Sequence, residues 1–95
     1  MNFEWALKEL QAGRTVKRSA WNRTRFVCLM PELQLPSFNT QGTDRKVNDR
    51  TAKHIGPDAP LNCRPYFACL TAGDAWQPGW LPSTEDLLSN DWVSG

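Results

Sequence analysis

"RPYFACLTAGDAWQPGW", residues 64–80, decides the fold. Tyr66 to Thr71 is an apolar, aromatic-rich run of strand type, and Ala72-Gly73-Asp74 is turn chemistry. A second strand starts at Ala75 and is soon interrupted by Pro78, which has no amide hydrogen to give to a ladder. Run, turn and run make a hairpin, so the neighbours in this part of the sheet are antiparallel.

Working outward, "RTVKRSAW" (14–21) reads as a short strand around Val16, and "TRFVCLMP" (24–31) as a longer one. The Asn-centred turn "WNR" (21–23) joins them as a second antiparallel pair. Before these strands, Asn2 caps a helix in which Phe3, Ala6, Leu7 and Leu10 fall at i, i+3, i+4 and i+7, and Gly13 ends it. Trp5 lies about 200° around that helix from Phe3, off the apolar stripe, so it is expected to be exposed or covered by a partner. After the hairpin, Ser83 followed by Asp86 is a capping-box start for a short helix carrying Leu87 and Leu88 and ending near Asn90. Residues 32–63 are rich in polar residues, Pro and Gly and are expected as a long central loop, with one helical turn near Arg50 to His54.

The order helix, two strands, loop, two strands, helix predicts an α+β fold. It consists of small antiparallel sheets with an N-terminal helix, a long central loop and a short C-terminal helix. At 95 residues the chain is expected to be one domain, 1–95, with a small core in which an aromatic share of 11% compensates for few aliphatic layers.

Composition narrows the function. The longest purely apolar run, Phe26 to Met30, is too short to span a bilayer, and "MNFEWALKEL" has no basic region leading into an apolar stretch, so neither export nor anchoring is expected. Cys28, Cys63 and Cys69 contain no C-x-x-C pair and are expected as reduced, buried thiols. The one histidine, His54, has no second ligand near it, so neither metal nor cofactor is expected, and catalysis lacks an activated nucleophile. Residues 1–64 hold all eleven Lys and Arg against six acids, net +5, whereas residues 65–95 hold four acids and no base, net −4. The favoured reading of these complementary parts is pairing within or between chains, and an anion site fed from the basic part is the sharper one. A net charge of only +1 argues against a nucleic-acid polymer as partner.

Flat bases stack on indole or phenol, and phosphates suit guanidinium groups and helix N-termini. The stacking candidates are Trp21, Tyr66, Trp76 and Trp80; the phosphate candidates are Arg18, Arg23 and Arg64; Asn22, Ser83 and Asp86 could read base edges or ribose hydroxyls. Trp80 ranks first because it follows Gly79 and precedes Pro82 in a segment that cannot continue a ladder, and Trp21 ranks second beside Asn22 and Arg23. Trp92 is expected to pack in the core over the last helix, and Trp76 is assigned with it to the fold. Ser83 and Asp86 are cap residues before they are ligand contacts.

Two stretches carry a resemblance. "MNFEWALKELQAGRTVKRSAWN" (1–22) is similar to the opening of a family of small phage and prophage proteins that begin M-N-F-x-x-A-L, pass through a G-x-x-V-x-R strand and close with G-W-N. "PYFACLTAGDAWQPGWLPSTEDLLSNDW" (65–92) resembles that family's second signature, an aromatic strand, a turn, P-W or P-G-W, an S-x-x-D-x-L helix and a final D-W. The chain departs from it at Trp5, at Ala20 where glycine is common, and at Leu81-Pro82. The family is that of the second Thoeris anti-defence proteins. The resemblance implies a phage-encoded sponge, working in the cytoplasm of the bacterial host, that binds cyclised ADP-ribose isomers or cyclic oligonucleotides without turnover. It also implies a homo-oligomer, a tetramer before a dimer, with pockets between subunits. The alternatives are a nucleic-acid-binding accessory protein and a phage structural protein.

Overall fold

A computed structural model of the chain describes residues 1–21, 24–71 and 74–95. It divides into two compact units, residues 1–30 together with 66–95, and residues 31–65.

The first unit opens with α1 (Phe3–Gln11), whose N-cap Asn2 accepts a hydrogen bond from the Trp5 amide. Gly13 follows with φ +85°, a conformation that only glycine takes without strain, and turns the chain into β1 (Val16–Arg18). β1 pairs antiparallel with β2 (Phe26–Met30) through Val16 and Val27. The turn expected at 21–23 falls largely on Asn22 and Arg23, outside the described residues.

In the second unit, β3 (Leu33–Leu35) and β4 (Leu61–Cys63) form a two-stranded ladder with Gln34 opposite Asn62, and α2 (Asp49–Ile55) lies between them in sequence. The stretch expected as an open loop is therefore organised, and the helical turn expected near Arg50 to His54 is a seven-residue helix capped by Asn48, which accepts from the Thr51 amide. Leu33-x-Leu35 and Leu61-x-Cys63 are period-two patterns too short to stand out in a polar stretch, and they form strands only by pairing with each other. Val47 is this unit's most buried side chain, its amide bonded to the Pro36 carbonyl.

Back in the first unit, β5 (Tyr66–Leu70) pairs with β2 along five residues and with β6 (Trp76–Pro78) along three. This is the expected hairpin; Ala72 and Gly73 of its turn lie outside the described residues. α3 (Thr84–Leu88) starts with the expected capping box: the Asp86 amide donates to the Ser83 hydroxyl and the Ser83 amide donates to the Asp86 carboxylate. The chain ends in a strand the sequence did not announce, β7 (Trp92–Ser94), which pairs with β1 and completes a five-stranded sheet in the order β6-β5-β2-β1-β7.

Side chains alternate across this sheet, and the register assigns them to two faces. Val16, Val27, Cys69 and Trp92 point toward α1 and bury with Phe3, Ala6 and Leu10; this inner face is the core. Leu7, expected in the helix stripe, is 37% exposed, because the buried arc narrows to Phe3, Ala6 and Leu10. Trp5 is instead half-buried against the core cluster, its broad indole reaching back from the helix flank. All three cysteines are free, but only Cys69 is buried; Cys28 and Cys63 are half-buried, Cys28 because it belongs to the opposite face of the sheet. Among the described residues no helix is long and apolar enough to cross a membrane.

Candidate ligand-binding site

The outer face of the sheet carries its own pattern. One row runs across all five strands: Trp76, Leu70, Phe26, Lys17 and Val93. The next row holds Pro78, Ala68 and Cys28, and the third Tyr66 and Met30. Every one of these side chains except Lys17 is uncharged. Ala68 is the small residue among large ones, and it forms the floor of a half-open cavity of about 330 Å³ whose other lining residues are Met30, Tyr66, Trp76 and Pro78. That volume lies at the lower end of small-molecule sites, roughly 300–1,000 Å³. Trp76 is 51% exposed and Tyr66 36%, and the edge of the Phe26 ring, 5.6 Å between centroids, fixes how the Trp76 indole stands. A slot with a phenol and an indole on its walls and an alanine floor suits one flat heteroaromatic ring.

The inner face disposes of the other aromatics. Trp80 should follow Trp76 and Pro78 onto the outer face by alternation. Gly79, at φ +70°, shifts the phase by one residue; the Trp80 amide then bonds the Phe67 carbonyl at 2.9 Å. Its half-buried ring meets Phe67, Trp21 and Trp92 edge-on, at 6.4, 6.2 and 6.5 Å between centroids. Trp21, also half-buried, has the Arg25 guanidinium 4.1 Å over its ring and Trp92 against its edge at 5.5 Å. Trp80 and Trp21, ranked first and second for stacking from sequence, thus belong to an aromatic cluster on the core, whereas Trp76, named among the stacking candidates but assigned with Trp92 to the fold, is the open indole. A segment that leaves a ladder at a glycine can still turn its next side chain inward.

The polar candidates are mostly engaged with one another. Arg18 donates through Nε to Asp91 at 2.9 Å and through Nη1 to Asp86 at 3.1 Å, with Glu85 at 3.5 Å. This clasp ties β1 to the cap of α3 and realises, within the chain, part of the pairing expected between the basic and acidic parts. The bonds to Asp91 and then Asp86 raise the already high pKa of Arg18 further. Its guanidinium is the main influence holding the Asp91 carboxyl below the usual carboxylate range. Burial pushes Asp86 up, but the Ser83 amide, the Arg18 guanidinium and the Ser83 hydroxyl overcome it and hold that carboxyl low as well. Ser83 and Asp86 sit in the capping box, with the Asp86 carbonyl accepting from the Trp92 indole at 2.8 Å. Arg64 is exposed just after β4 in the second unit, and Asn22 and Arg23 lie outside the described residues. Burial, and then the neighbouring Cys69, raise the Cys28 thiol. His54 is exposed on α2, and among the described residues no three His, Cys, Asp or Glu side chains come together as metal ligands.

A pH dependence follows from the clasp. Carboxyls with folded pKa values below their unfolded ones add stability that is full above the unfolded pKa and is lost as pH falls through the folded pKa. The melting temperature is therefore expected to fall between roughly pH 5 and pH 2. In Arg18→Met it is expected to be lower at neutral pH and to converge on that of the unaltered protein toward acid. Parallel pH profiles for the two proteins would show that Arg18 is not what holds these carboxyls down.

Met30, Ala68 and Pro78 were not singled out from sequence. The signal was available in the shared alternation 26/28/30, 66/68/70 and 76/78, which marks one face of three neighbouring strands once their register is known.

The architecture defines a small antiparallel α+β domain with one sheet face closed by α1 and the other open around an apolar, aromatic-walled slot. This chain belongs to the Tad2-like family: the sequence model of the Thoeris anti-defense 2-like domain matches residues 1–94. That match runs through both units and places the chain among Thoeris anti-defense proteins. No curated protein matches it significantly.

Proposed function

We propose that the protein is a sponge, binding cyclic nucleotide second messengers made by bacterial defence systems such as Thoeris or CBASS and holding them intact. The ligands are cyclised ADP-ribose isomers, with cyclic oligonucleotides as the second class. The observation that carries this reading, within an anti-defense family, is the slot between Tyr66 and Trp76, which offers a base two aromatic walls. Sequestration without conversion agrees with the state of the reactive groups. Asp86 and Asp91 are held as carboxylates by Arg18 and the helix cap, and the Cys28 thiol is raised away from its nucleophilic form. In this reading both units act as one domain, the protein assembles as a homo-oligomer, a tetramer before a dimer, and it works in the cytoplasm of the infected bacterium.

The test is to incubate the pure protein with nucleotide extract from infected, defence-bearing cells, remove free ligand, denature by heat and identify what is released by mass spectrometry. Intact cyclic nucleotide, released in proportion to subunits, is the expected result. A cleaved product formed over many turnovers per subunit would make the protein an enzyme and end the sponge reading.

A further inference from the structure

Lys17, half-buried on β1, is the single charge in the row that crosses the outer face of the sheet. The other described Lys and Arg of the first unit are engaged. Lys8 pairs with Glu4 at 3.7 Å, Arg14 with Glu9, Arg18 with Asp91 and Asp86, and the Arg25 guanidinium lies over Trp21. Among the described residues Lys17 has no carboxylate or ring partner. We infer that its ammonium is the phosphate anchor of the slot: a nucleotide whose base stands between Tyr66 and Trp76 lays its phosphate on Lys17. The inference rests on the sponge reading and adds to it the residue that recognises the charge of the ligand.

Register sets the distance. Ala68, the floor of the slot, stands on β5 opposite Cys28 of β2, and Lys17 on β1 is aligned with Phe26, one row further along β2. Two strand spacings of about 4.8 Å and one two-residue step of about 6.8 Å put the two Cα positions roughly 12 Å apart. An extended lysine stem covers about 6 Å of this gap, and the sugar between a base and its phosphate covers the rest. On this path the sugar crosses β2 over Phe26 and Cys28, which share the outer face. The opposite direction offers no such group: β6 is an edge strand, and the residues that line the slot are uncharged.

The two groups divide the ligand by its chemistry. Apolar and aromatic walls favour the base and give nothing to an anion. An ammonium with no carboxylate beside it gives up only water to take a phosphate, whereas Arg18 would first have to leave two aspartates. Lysine holds phosphate as a flexible point charge rather than through a fixed fork, so one anchor serves phosphates joined in different ring closures. Stacking therefore holds the ring, and Lys17 separates nucleotides from nucleosides and free bases, which carry the same ring without the charge.

Titration of the full chain with adenosine and with adenosine 5′-monophosphate in low salt, followed by amide chemical shifts, tests this. The monophosphate is expected to bind about tenfold more tightly than the nucleoside, by a margin that shrinks as added salt screens the charges. Lys17→Met keeps the stem and is expected to weaken monophosphate binding about tenfold, to the level of adenosine. Lys17→Arg returns the charge and is expected to restore most of the margin. Should Lys17→Met fail to fold, Lys17→Gln carries the test. A margin as large in the folded, uncharged variant as in the unaltered protein overturns the anchor and leaves the slot standing. Binding of neither compound, or adenosine binding that Tyr66→Ala leaves as strong as before, overturns the slot reading and the inference with it.

Discussion

Trp92→Ala is expected to cost about 3–5 kcal/mol of stability and to lower the melting temperature by roughly 20 °C or more. The indole is 1% exposed, the largest fully buried side chain among the described residues. It meets Phe3 edge-on at 5.4 Å, touches Trp21 and Trp80, and donates its N–H to the Asp86 carbonyl at 2.8 Å. Truncation opens a cavity where the sheet, α1 and α3 converge, and it leaves that carbonyl without its donor. A domain of this size has about 5–15 kcal/mol in total, so the variant is expected to be partly unfolded at 37 °C. Trp92→Phe keeps most of the buried area but not the N–H, so a smaller loss, about 1–2 kcal/mol, is expected. Chemical denaturation of the three proteins separates packing from the hydrogen bond. A Trp92→Ala protein melting within a few degrees of the unaltered one would remove Trp92 from the centre of the core.

The second large effect is on binding. Trp76→Ala is expected to keep the fold, losing about 1 kcal/mol with the Phe26 edge contact, yet to weaken cyclic-nucleotide binding by about ten- to a hundredfold. Tyr66→Ala, which removes the phenol from the same slot, is expected to weaken binding as well. Trp80→Ala is expected to behave the opposite way, with a depressed melting temperature, because its ring is held between Phe67, Trp21 and Trp92. Titration calorimetry and melting on the same preparations decide between them. If Trp80→Ala folds normally and loses ligand while Trp76→Ala and Tyr66→Ala bind as before, the ligand sits at the inner aromatic cluster and the slot is not the site.

The contrast between Trp76 and Trp80 shows why strands were easier to read than the faces their residues take. Strand existence follows from local composition, so the hairpin of β5 and β6 was legible in "YFACLTAGDAWQP". Which face a strand residue takes depends on phase, and phase changes at a single bulge. Gly79 inserts one left-handed residue, and the two indoles on either side of it part to opposite faces. Glycine there could be seen in the sequence, but the direction it would send Trp80 depended on the Phe67 carbonyl waiting across the strand. Arg25 escaped notice for the same reason. It stacks on Trp21 by virtue of position, whereas sequence adjacency had favoured Arg23.

What the sequence determined by itself is what local chemistry encodes. Asn2 with an apolar stripe and Gly13 made α1, Ser83 with Asp86 made α3, and turn residues between apolar runs made two antiparallel strand pairs. These follow from hydrogen bonds and side-chain spacings within a few residues of one another, and the same local signatures carried the family resemblance. Tertiary structure decided the rest. Trp92-Val93-Ser94 is a strand because the free edge of β1 offers it hydrogen-bond partners some 75 residues away in sequence. Leu33-Leu35 and Leu61-Cys63 are strands only as each other's partners. The open row on the outer face exists only once five strands from both ends of the chain are in register. Pairing and burial are properties of surfaces brought together from distant segments, and no short window of sequence contains both sides of such a contact.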